Sequence, residues 1–189
     1  MLAKVKNLIY RTRLLLKPLV LLNYVKLGRG ITFAVPLRFD GKGKVVIGDN
    51  TTIGYPLAPK AGNGEALIQA RSETSIIEIG EHVALSNNVS LIAMSRITIG
   101  DECLIGDFAL IIDSDFHEVD PVTRRVSPGQ SAPVSIGKNV WLGSRVIVQK
   151  GVTIGDNSVI AAQSVVSRDI PPNCIAGGIP AKVIKKIPL

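Results

Sequence analysis

An aliphatic residue recurs every six positions along much of this sequence. Neither an α-helix nor an amphipathic strand has that period, whereas a short strand followed by a turn does. Small residues follow many of the aliphatic ones, and they can adopt the conformations that a corner needs. The longest run of the repeat comprises Ile136, Leu142, Val148, Ile154, Ile160 and Val166.

Three six-residue units would form a triangular coil of about 18 residues, and successive coils would pair their backbones in parallel ladders. The aliphatic side chains would then stack inside a narrow prism that has no room for rings. This agrees with a chain that is 46% apolar but only 4% aromatic. The pattern therefore predicts an all-β protein, a parallel β-helix.

The repeat loses its phase twice. Between Ile53 and Ile79 the sequence is rich in proline and glycine, which indicates an insertion or an irregular coil. Between Ile111 and Ile136 it is rich in charged residues and proline, and we predict an extruded loop over residues 113–135. Functional residues concentrate on loops that a rigid scaffold holds, so the second interruption is the candidate site.

The net charge of +7 comes from the start of the chain. Residues 1–39 hold eight basic residues and no acidic one, whereas residues 40–189 hold 14 basic and 15 acidic residues. Approximate helical spacing of the apolar residues predicts a basic N-terminal helical segment over 1–39, before a β-helix domain over 40–189 with a C-terminal tail. Residues 1–22 could contact an anionic membrane, or the segment could pack on the β-helix or on a neighbouring subunit. We expect no nucleic-acid partner, because the basic stretch resembles no nucleic-acid module.

The two cysteines, Cys103 and Cys174, form neither a disulfide framework nor a zinc-ligand spacing. We therefore expect a reducing compartment and no metal. The apolar run from residue 14 to residue 22 is interrupted by Lys17 and Pro18, and no signal-cleavage pattern follows it. We expect a cytoplasmic protein, with the inner face of the membrane as the alternative location for the basic segment.

The repeat and three local strings resemble the hexapeptide-repeat acyltransferases over roughly residues 45–187, and among them galactoside, maltose and capsule or lipopolysaccharide O-acetyltransferases. The strings are Asp113-Ser-Asp-Phe-His117-Glu118, Ile136-Gly-Lys-Asn-Val-Trp141-Leu-Gly-Ser144, and Ala161-Ala-Gln-Ser-Val-Val-Ser-Arg168-Asp-Ile-Pro-Pro172 with Gly178-Ile-Pro-Ala-Lys182. The resemblance implies a left-handed β-helix, a homotrimer with active sites between neighbouring subunits, and acetyl-CoA as co-substrate. The handedness comes from the resemblance alone, because crossover connections are generally right-handed.

His117 is the candidate general base. A hydroxyl or amine that attacks a thioester must lose a proton, and neutral imidazole has a pKa suited to removing it near neutral pH. The resembling family uses a loop histidine in this way, in direct transfer without an acyl-enzyme. A lone surface histidine is the alternative, but His117 lies in the matching loop.

Four residues are candidates for binding the acceptor. Asp113 and Asp115 flank the base, although a solvated acidic loop is an equal interpretation. Trp141 is the only tryptophan, and in the resembling enzymes this residue packs near the catalytic histidine. Asn88 lies in the unit where galactoside enzymes carry a sugar-binding asparagine. Met94 stands where an acidic residue is expected, which argues against galactoside specificity.

The donor site is partly derived from the repeat. Ser144 and Ala162 are one coil apart, as are Gly143 and Ala161, so each pair should stack along one edge. Such a file of small residues leaves a groove for a pantetheine arm. By resemblance, the Ser144 N–H lies near the thioester oxygen. Also by resemblance, basic and polar residues meet the phosphate-bearing end of coenzyme A. These are Ser167, Arg168, Lys182 and Lys185.

The leading hypothesis is an acetyl-CoA-dependent O-acetyltransferase that acts on a sugar hydroxyl in capsule, lipopolysaccharide or exopolysaccharide biosynthesis. An N-acetyltransferase of an amino-sugar nucleotide is the alternative enzyme, because the same base and donor serve both reactions. The zinc carbonic anhydrases of this fold need three histidine ligands per chain, and this chain has only His82 and His117. A structural β-solenoid is the non-enzymatic alternative, and the extruded loop argues against it.

Overall fold

The computed structural model describes residues 24–188, and within that range it contains twenty β-strands and no α-helix. The strands of the first three coils are β1 (Val25–Leu27), β2 (Thr32–Phe33), β3 (Leu37–Gly41), β4 (Lys44–Ile47), β5 (Thr52–Ile53), β6 (Ala66–Ala70), β7 (Ile76–Ile79), β8 (Ala84–Leu85) and β9 (Ser90–Ala93). The strands of the next three coils are β10 (Arg96–Ile99), β11 (Leu104–Ile105), β12 (Leu110–Ile112), β13 (Val134–Ile136), β14 (Trp141–Leu142), β15 (Ile147–Val148), β16 (Thr153–Ile154), β17 (Val159–Ile160) and β18 (Val165–Val166). The last two strands are β19 (Cys174–Gly178) and β20 (Ala181–Lys186).

The strands form three sheets, one on each side of a triangular prism. Sheet A has the order β1-β4-β7-β10-β13-β16, sheet B has β2-β5-β8-β11-β14-β17-β19-β20, and sheet C has β3-β6-β9-β12-β15-β18. Each turn of the chain therefore visits sheets A, B and C before it returns to A. Every pairing is parallel except that of β19 with β20. This architecture confirms the predicted left-handed parallel β-helix.

Stacked aliphatic side chains fill the prism. In sheet A, Ile77 pairs with Ile97, and both have no exposed surface. In sheet B, Ile105 pairs with Leu142, which pairs with Ile160 in the next coil. The first coil departs from this rule, because the rings of Phe33 and Phe39 are buried there. The expectation that the core holds no rings is therefore wrong at this end of the prism.

Coil length differs between the two halves of the prism. Ser135 pairs with Thr153, which gives the predicted 18-residue coil, whereas Ile77 pairs with Ile97 across a 20-residue coil. The longer coils have four-residue strands in sheet A. A side chain at Gly80 has no room between coils, because its Cβ would lie 2.7 Å from the backbone nitrogen of Asp101. Glycine after the repeated aliphatic residue therefore lets the corners of successive coils stack closely.

The β-helix begins earlier than predicted. Strands β1 to β3 pair with β4 to β6, so the first coil starts at Val25 and the proposed boundary at residue 40 falls inside β3. The repeat is hard to recognise in this coil because phenylalanine replaces aliphatic residues at inward positions. The predicted membrane-contacting stretch, residues 1–22, lies outside the described residues. Within residues 24–188, no helix is long and apolar enough to cross a bilayer.

Both interruptions of the repeat are real departures from the prism. Residues 54–65 lie between β5 and β6, and residues 113–133 lie between β12 and β13. The strands on either side of each interruption keep their place in the ladders, because β6 pairs with β3 and β9, and β13 pairs with β10 and β16. The prism therefore holds both ends of each segment.

The thiol of Cys103 provides a test of the closed core. Its Sγ donates to the carbonyl of Gly137 at 3.0 Å, and burial raises the pKa of this thiol to about 11. We predict that iodoacetamide at pH 8 modifies Cys103 only after denaturation, as followed by peptide mass spectrometry. The raised pKa stabilises the fold fully below pH 9.0, the ordinary pKa of the group, and this contribution is lost as the pH rises through 11. The Cys103→Ala variant should lack this alkaline loss of stability. Rapid labelling of Cys103 in the native protein would contradict the buried position of its thiol.

Candidate functional site

The extruded loop leaves and returns through a short paired neck. Ser114 and Ser131 form an antiparallel bridge, and the N–H of Asp115 donates to the carbonyl of Gln130 at 3.0 Å. The N–H of Ala132 donates to the carbonyl of Asp113 at 2.9 Å. The neck therefore fixes the direction in which residues 116–129 project.

Asp113 anchors this neck to the preceding coil. Its two carboxylate oxygens accept the N–H groups of Met94 and Ser95, each at 2.7 Å, and the residue has no exposed surface. A side chain in this position cannot contact a sugar, so the prediction that Asp113 binds the acceptor is corrected to an anchoring role. The carboxylate satisfies two backbone donors that the chain cannot satisfy itself where it leaves the ladder.

His117 lies exposed beyond the neck with one ring nitrogen held. Its Nδ1 is 3.1 Å from the backbone carbonyl oxygen of Arg124. A carbonyl oxygen only accepts, so Nδ1 carries the proton of the neutral ring and the lone pair is on Nε2. Gly129 packs against the backbone of His117, where an added Cβ would lie 2.6 Å from the carbonyl oxygen. The φ of Gly129 is +73°, in the left-handed region that favours glycine.

Asp115 occupies a cleft beside the neck. Its carboxylate is 2.9 Å from Nζ of Lys150, and both side chains are partly exposed. The cleft has a volume of about 410 Å³ and is also lined by Phe116, Gln149 and Ser167. We call this side of the prism the loop edge, defined as residues 71–75, 94–95, 113–133, 149–152 and 167–169, where the chain passes from sheet C to sheet A.

A second edge carries the small residues. It comprises residues 86–89, 106–109, 143–146 and 161–164, where the chain passes from sheet B to sheet C, and we call it the Ser-Ala edge. Ser144 stacks on the coil of Ala162, because Leu142 pairs with Ile160 and the N–H of Gln163 donates to the carbonyl of Ser144 at 2.8 Å. The predicted stacking is confirmed. The hydroxyl of Ser144 also donates to Asp107 at 2.6 Å, a contact that the repeat alone did not indicate.

The predicted donor-site residues are divided between these two edges. The Ser-Ala edge holds Gly143, Ser144, Ala161 and Ala162, whereas the loop edge holds Ser167 and Arg168. Within one coil, a strand of sheet C separates the edges by roughly 10 Å. Lys182 pairs with Gly177 in the antiparallel tail, and Lys185 pairs with Ile175. The N–H of Gly178 donates to Ser164 Oγ, so the tail reaches the last coil of the Ser-Ala edge near Lys182.

Trp141 lies on the outer face of sheet B, away from the loop of its own chain. Its side chain is 53% exposed beside Leu104 of the preceding coil, which is 51% exposed. Both line a groove of about 230 Å³ together with Tyr55 from the 54–65 insertion. The structure thus does not bring Trp141 and His117 together within one chain.

Asn88 and its neighbour hold the 54–65 insertion. The Asn88 amide accepts from the N–H of Ala61 and donates to the carbonyl of Ala61. The buried Asn87 amide binds the backbone of Tyr55 in both directions and also donates to the carbonyl of Ala58. The two bonds to Ala61 use one acceptor and one donor of the Asn88 amide, and its contact with sugar stays a prediction. Sequence reasoning missed Asn87, whose buried polar side chain needs these partners.

The outer part of the extruded loop exposes three valines among charged residues. Val119, Val122 and Val126 are each more than 80% exposed. Three such side chains on one projecting tip are typical of a surface that meets another molecule. Among residues 24–188, no group of three or more histidine, cysteine or acidic residues is placed to hold a metal ion.

The sequence is similar to those of known acetyltransferases. Residues 133–168 match the family model described as bacterial transferase hexapeptide (six repeats). The chain is 42% identical over 113 residues to the galactoside O-acetyltransferase of Escherichia coli K12, covering 60% of this chain and 55% of that protein. It is 34% identical over 167 residues to a protein of the same strain with the provisional name lipopolysaccharide biosynthesis O-acetyl transferase WbbJ, covering 84% of this chain and 79% of that protein.

The fold is similar as well. A galactoside acetyltransferase solved in complex with coenzyme A superposes with a TM-score of 0.60 at 27% identity, covering 98% of this chain and 82% of that chain. In sequence, the chain spans about half the length of the galactoside O-acetyltransferase it matches.

The anchoring role of Asp113 is testable through stability. Asp113→Ala leaves the N–H groups of Met94 and Ser95 without their acceptors, and we predict a loss of about 2–4 kcal/mol in the free energy of unfolding by urea denaturation. Trypsin should also cleave faster after the exposed Arg124 and Arg125. Asp115→Ala is the matched control, since an exposed ion pair contributes less than about 1 kcal/mol. Equal losses in the two variants would contradict the anchoring role.

Proposed function

The chain belongs to the bacterial hexapeptide-repeat transferase family, and we propose that it transfers an acetyl group from acetyl-CoA to a sugar hydroxyl. The observation that carries this proposal is the exposed imidazole of His117, whose Nδ1 is held by a carbonyl so that Nε2 is free to accept a proton. The named activities of the galactoside O-acetyltransferase and of WbbJ support a sugar hydroxyl as acceptor. The greater coverage of WbbJ favours surface-polysaccharide biosynthesis as the pathway.

His117 acts as the general base in this proposal. Its Nε2 removes the proton of the acceptor hydroxyl as the oxygen attacks the thioester carbonyl. The C–O bond forms, the C–S bond breaks, and the imidazolium then returns the proton to the departing thiolate. The carbonyl of Arg124 accepts a hydrogen bond from the Nδ1–H group throughout, which keeps the ring oriented and stabilises its charged form.

The Ser-Ala edge serves the donor. Its small side chains leave space for the pantetheine arm, and the Ser144 N–H stabilises the charge that develops on the thioester oxygen. Arg168, Lys182 and Lys185 are exposed cations that suit the phosphate-bearing end of coenzyme A, with Ser167 as a further polar contact. No protein metal is required for this chemistry, because the base and the N–H donor supply both proton transfer and charge stabilisation.

A complete site requires two chains. The base lies on the loop edge, whereas Ser144 and Trp141 lie on the Ser-Ala edge and the adjoining sheet. If the loop edge of one chain faces the Ser-Ala edge of the next, the same contact repeated around a threefold axis closes a homotrimer. The exposed valines of the loop tip and the exposed pair of Trp141 and Leu104 supply apolar surface for such a contact. Asp115 and Trp141 would then approach the acceptor from different subunits.

Removing the base should abolish most of the activity. We predict that His117→Gln lowers kcat by about 10²–10⁴-fold, measured as coenzyme A release with sugar acceptors. His82→Gln is the control, because His82 lies at a corner between sheets A and B. Near-normal turnover by His117→Gln would remove the base from the mechanism. Transfer to amino sugars alone would replace O-acetylation by N-acetylation.

Mixing two inactive variants tests the two-chain site. His117→Ala lacks the base, and Ala162→Tyr fills the exposed groove of the Ser-Ala edge. In every mixed trimer, one of the three sites combines an intact loop with an intact groove, so we predict that purified mixed trimers recover about a third of wild-type activity. The two chains carry different affinity tags, and tandem purification isolates mixed oligomers.

A third chain controls this experiment. The double variant with His117→Ala and Ala162→Tyr should restore nothing when it is mixed with His117→Ala. If isolated mixed trimers of the two single variants also stay inactive, each site lies within one chain.

A further inference from the structure

An arginine from a distant coil covers the residue that precedes the base. The guanidinium carbon of Arg71 lies 4.2 Å from the ring centroid of Phe116, which is a cation–π contact. The backbone N–H of Arg71 donates to the carbonyl of Ala93 in the next coil. The extruded loop departs from the coil after that one, so the Arg71 side chain spans about 10 Å along the loop edge to reach it.

The guanidinium is itself held in place. Its Nε donates to Oε1 of Gln69 at 2.7 Å, and Nε2 of Gln69 donates to Oδ2 of Asp40 at 3.3 Å. The N–H of Gly41 donates to Asp40 and lowers the pKa of that carboxyl, so Asp40 stays an ionised acceptor at neutral pH. A chain of contacts thus connects the first coil to the ring of Phe116.

Phe116 has a backbone conformation that residues with a side chain rarely adopt. Its φ is +61°, in the left-handed region, which a bulky side chain rarely adopts without support. Its N–H donates to the hydroxyl of Ser114 at 3.0 Å. The left-handed turn sets the direction of the following residue, His117. Loss of the ring contact would therefore release the turn that aims the imidazole.

We propose that Arg71 is a positioning residue for His117 and acts through the ring of Phe116. This inference rests on the proposed function for its kinetic consequence, but its structural part does not depend on any activity. Lys150 supports the other side of the neck through Asp115, so the base projects from a neck that two cations from different coils hold.

The tautomer of His117 reports this positioning directly. The chain has only two histidines, so the imidazole nitrogen NMR spectrum of tag-free protein contains two ring systems, and His82 is the internal reference. We expect wild-type His117 to show a protonated Nδ1. In Arg71→Met and in Phe116→Leu we expect its signals to move toward a mixture of tautomers, while those of His82 stay unchanged.

The kinetics give the second measurement. Arg71→Met and Phe116→Leu should each lower kcat by about ten- to a hundredfold with little change in KM, because misaligned groups lose rate more than binding. The double variant should lose no more than either single variant, and Arg71→Lys should recover part of kcat because it keeps the cation. Arg29→Met is the control, since Arg29 is an exposed arginine paired with Asp49 far from the loop edge.

Two results would overturn the proposal. One is an unchanged His117 spectrum in Arg71→Met. The other is a rise in KM that Phe116→Leu does not share, which would mean that Arg71 contacts a substrate itself. A wild-type protein without transferase activity would refute the proposed function, and the NMR comparison would still decide whether Arg71 positions His117.

Discussion

Backbone pairing between coils is the constraint on which the rest of this structure depends. Strands β1 to β18 pair in parallel with the strands of adjacent coils, so a residue's place in its coil decides which side of the prism it occupies. Most inward positions are then aliphatic, and closely stacked corners carry small residues such as Gly80. Ser144 above Ala162 follows from this rule, as does the buried stack of Ile105, Leu142 and Ile160.

The same constraint explains why function requires departures from the repeat. A regular prism presents flat sheets and cannot surround a substrate. The loop at 113–133 supplies the projecting imidazole of His117, and the carboxylate of Asp113 replaces the backbone partners that the chain loses where it leaves the ladder. A rigid prism keeps its edges apart, which is why the proposed mechanism draws His117 and the Ser-Ala edge from two chains.

The sequence predicts what the repeat determines. The strand positions, both interruptions and the stacking of Ser144 on Ala162 follow from a six-residue period. The six-residue period does not predict contacts between residues at unrelated repeat positions, because such contacts depend on how the irregular segments fold. The anchoring by Asp113, the clamp of Asn87 on the 54–65 insertion and the stacking of Arg71 on Phe116 belong to this class. The first coil was missed because Phe33 and Phe39 interrupt the aliphatic pattern.

A crystal structure with coenzyme A bound tests the central claim most directly. We predict an oligomer in which the coenzyme lies between the Ser-Ala edge of one chain and the loop edge of its neighbour. The sulfur should lie within reach of His117 Nε2 of that neighbouring loop and near the N–H of Ser144. Coenzyme bound along a single chain, with its sulfur remote from every His117, would contradict the two-chain site and the role of His117 as its base.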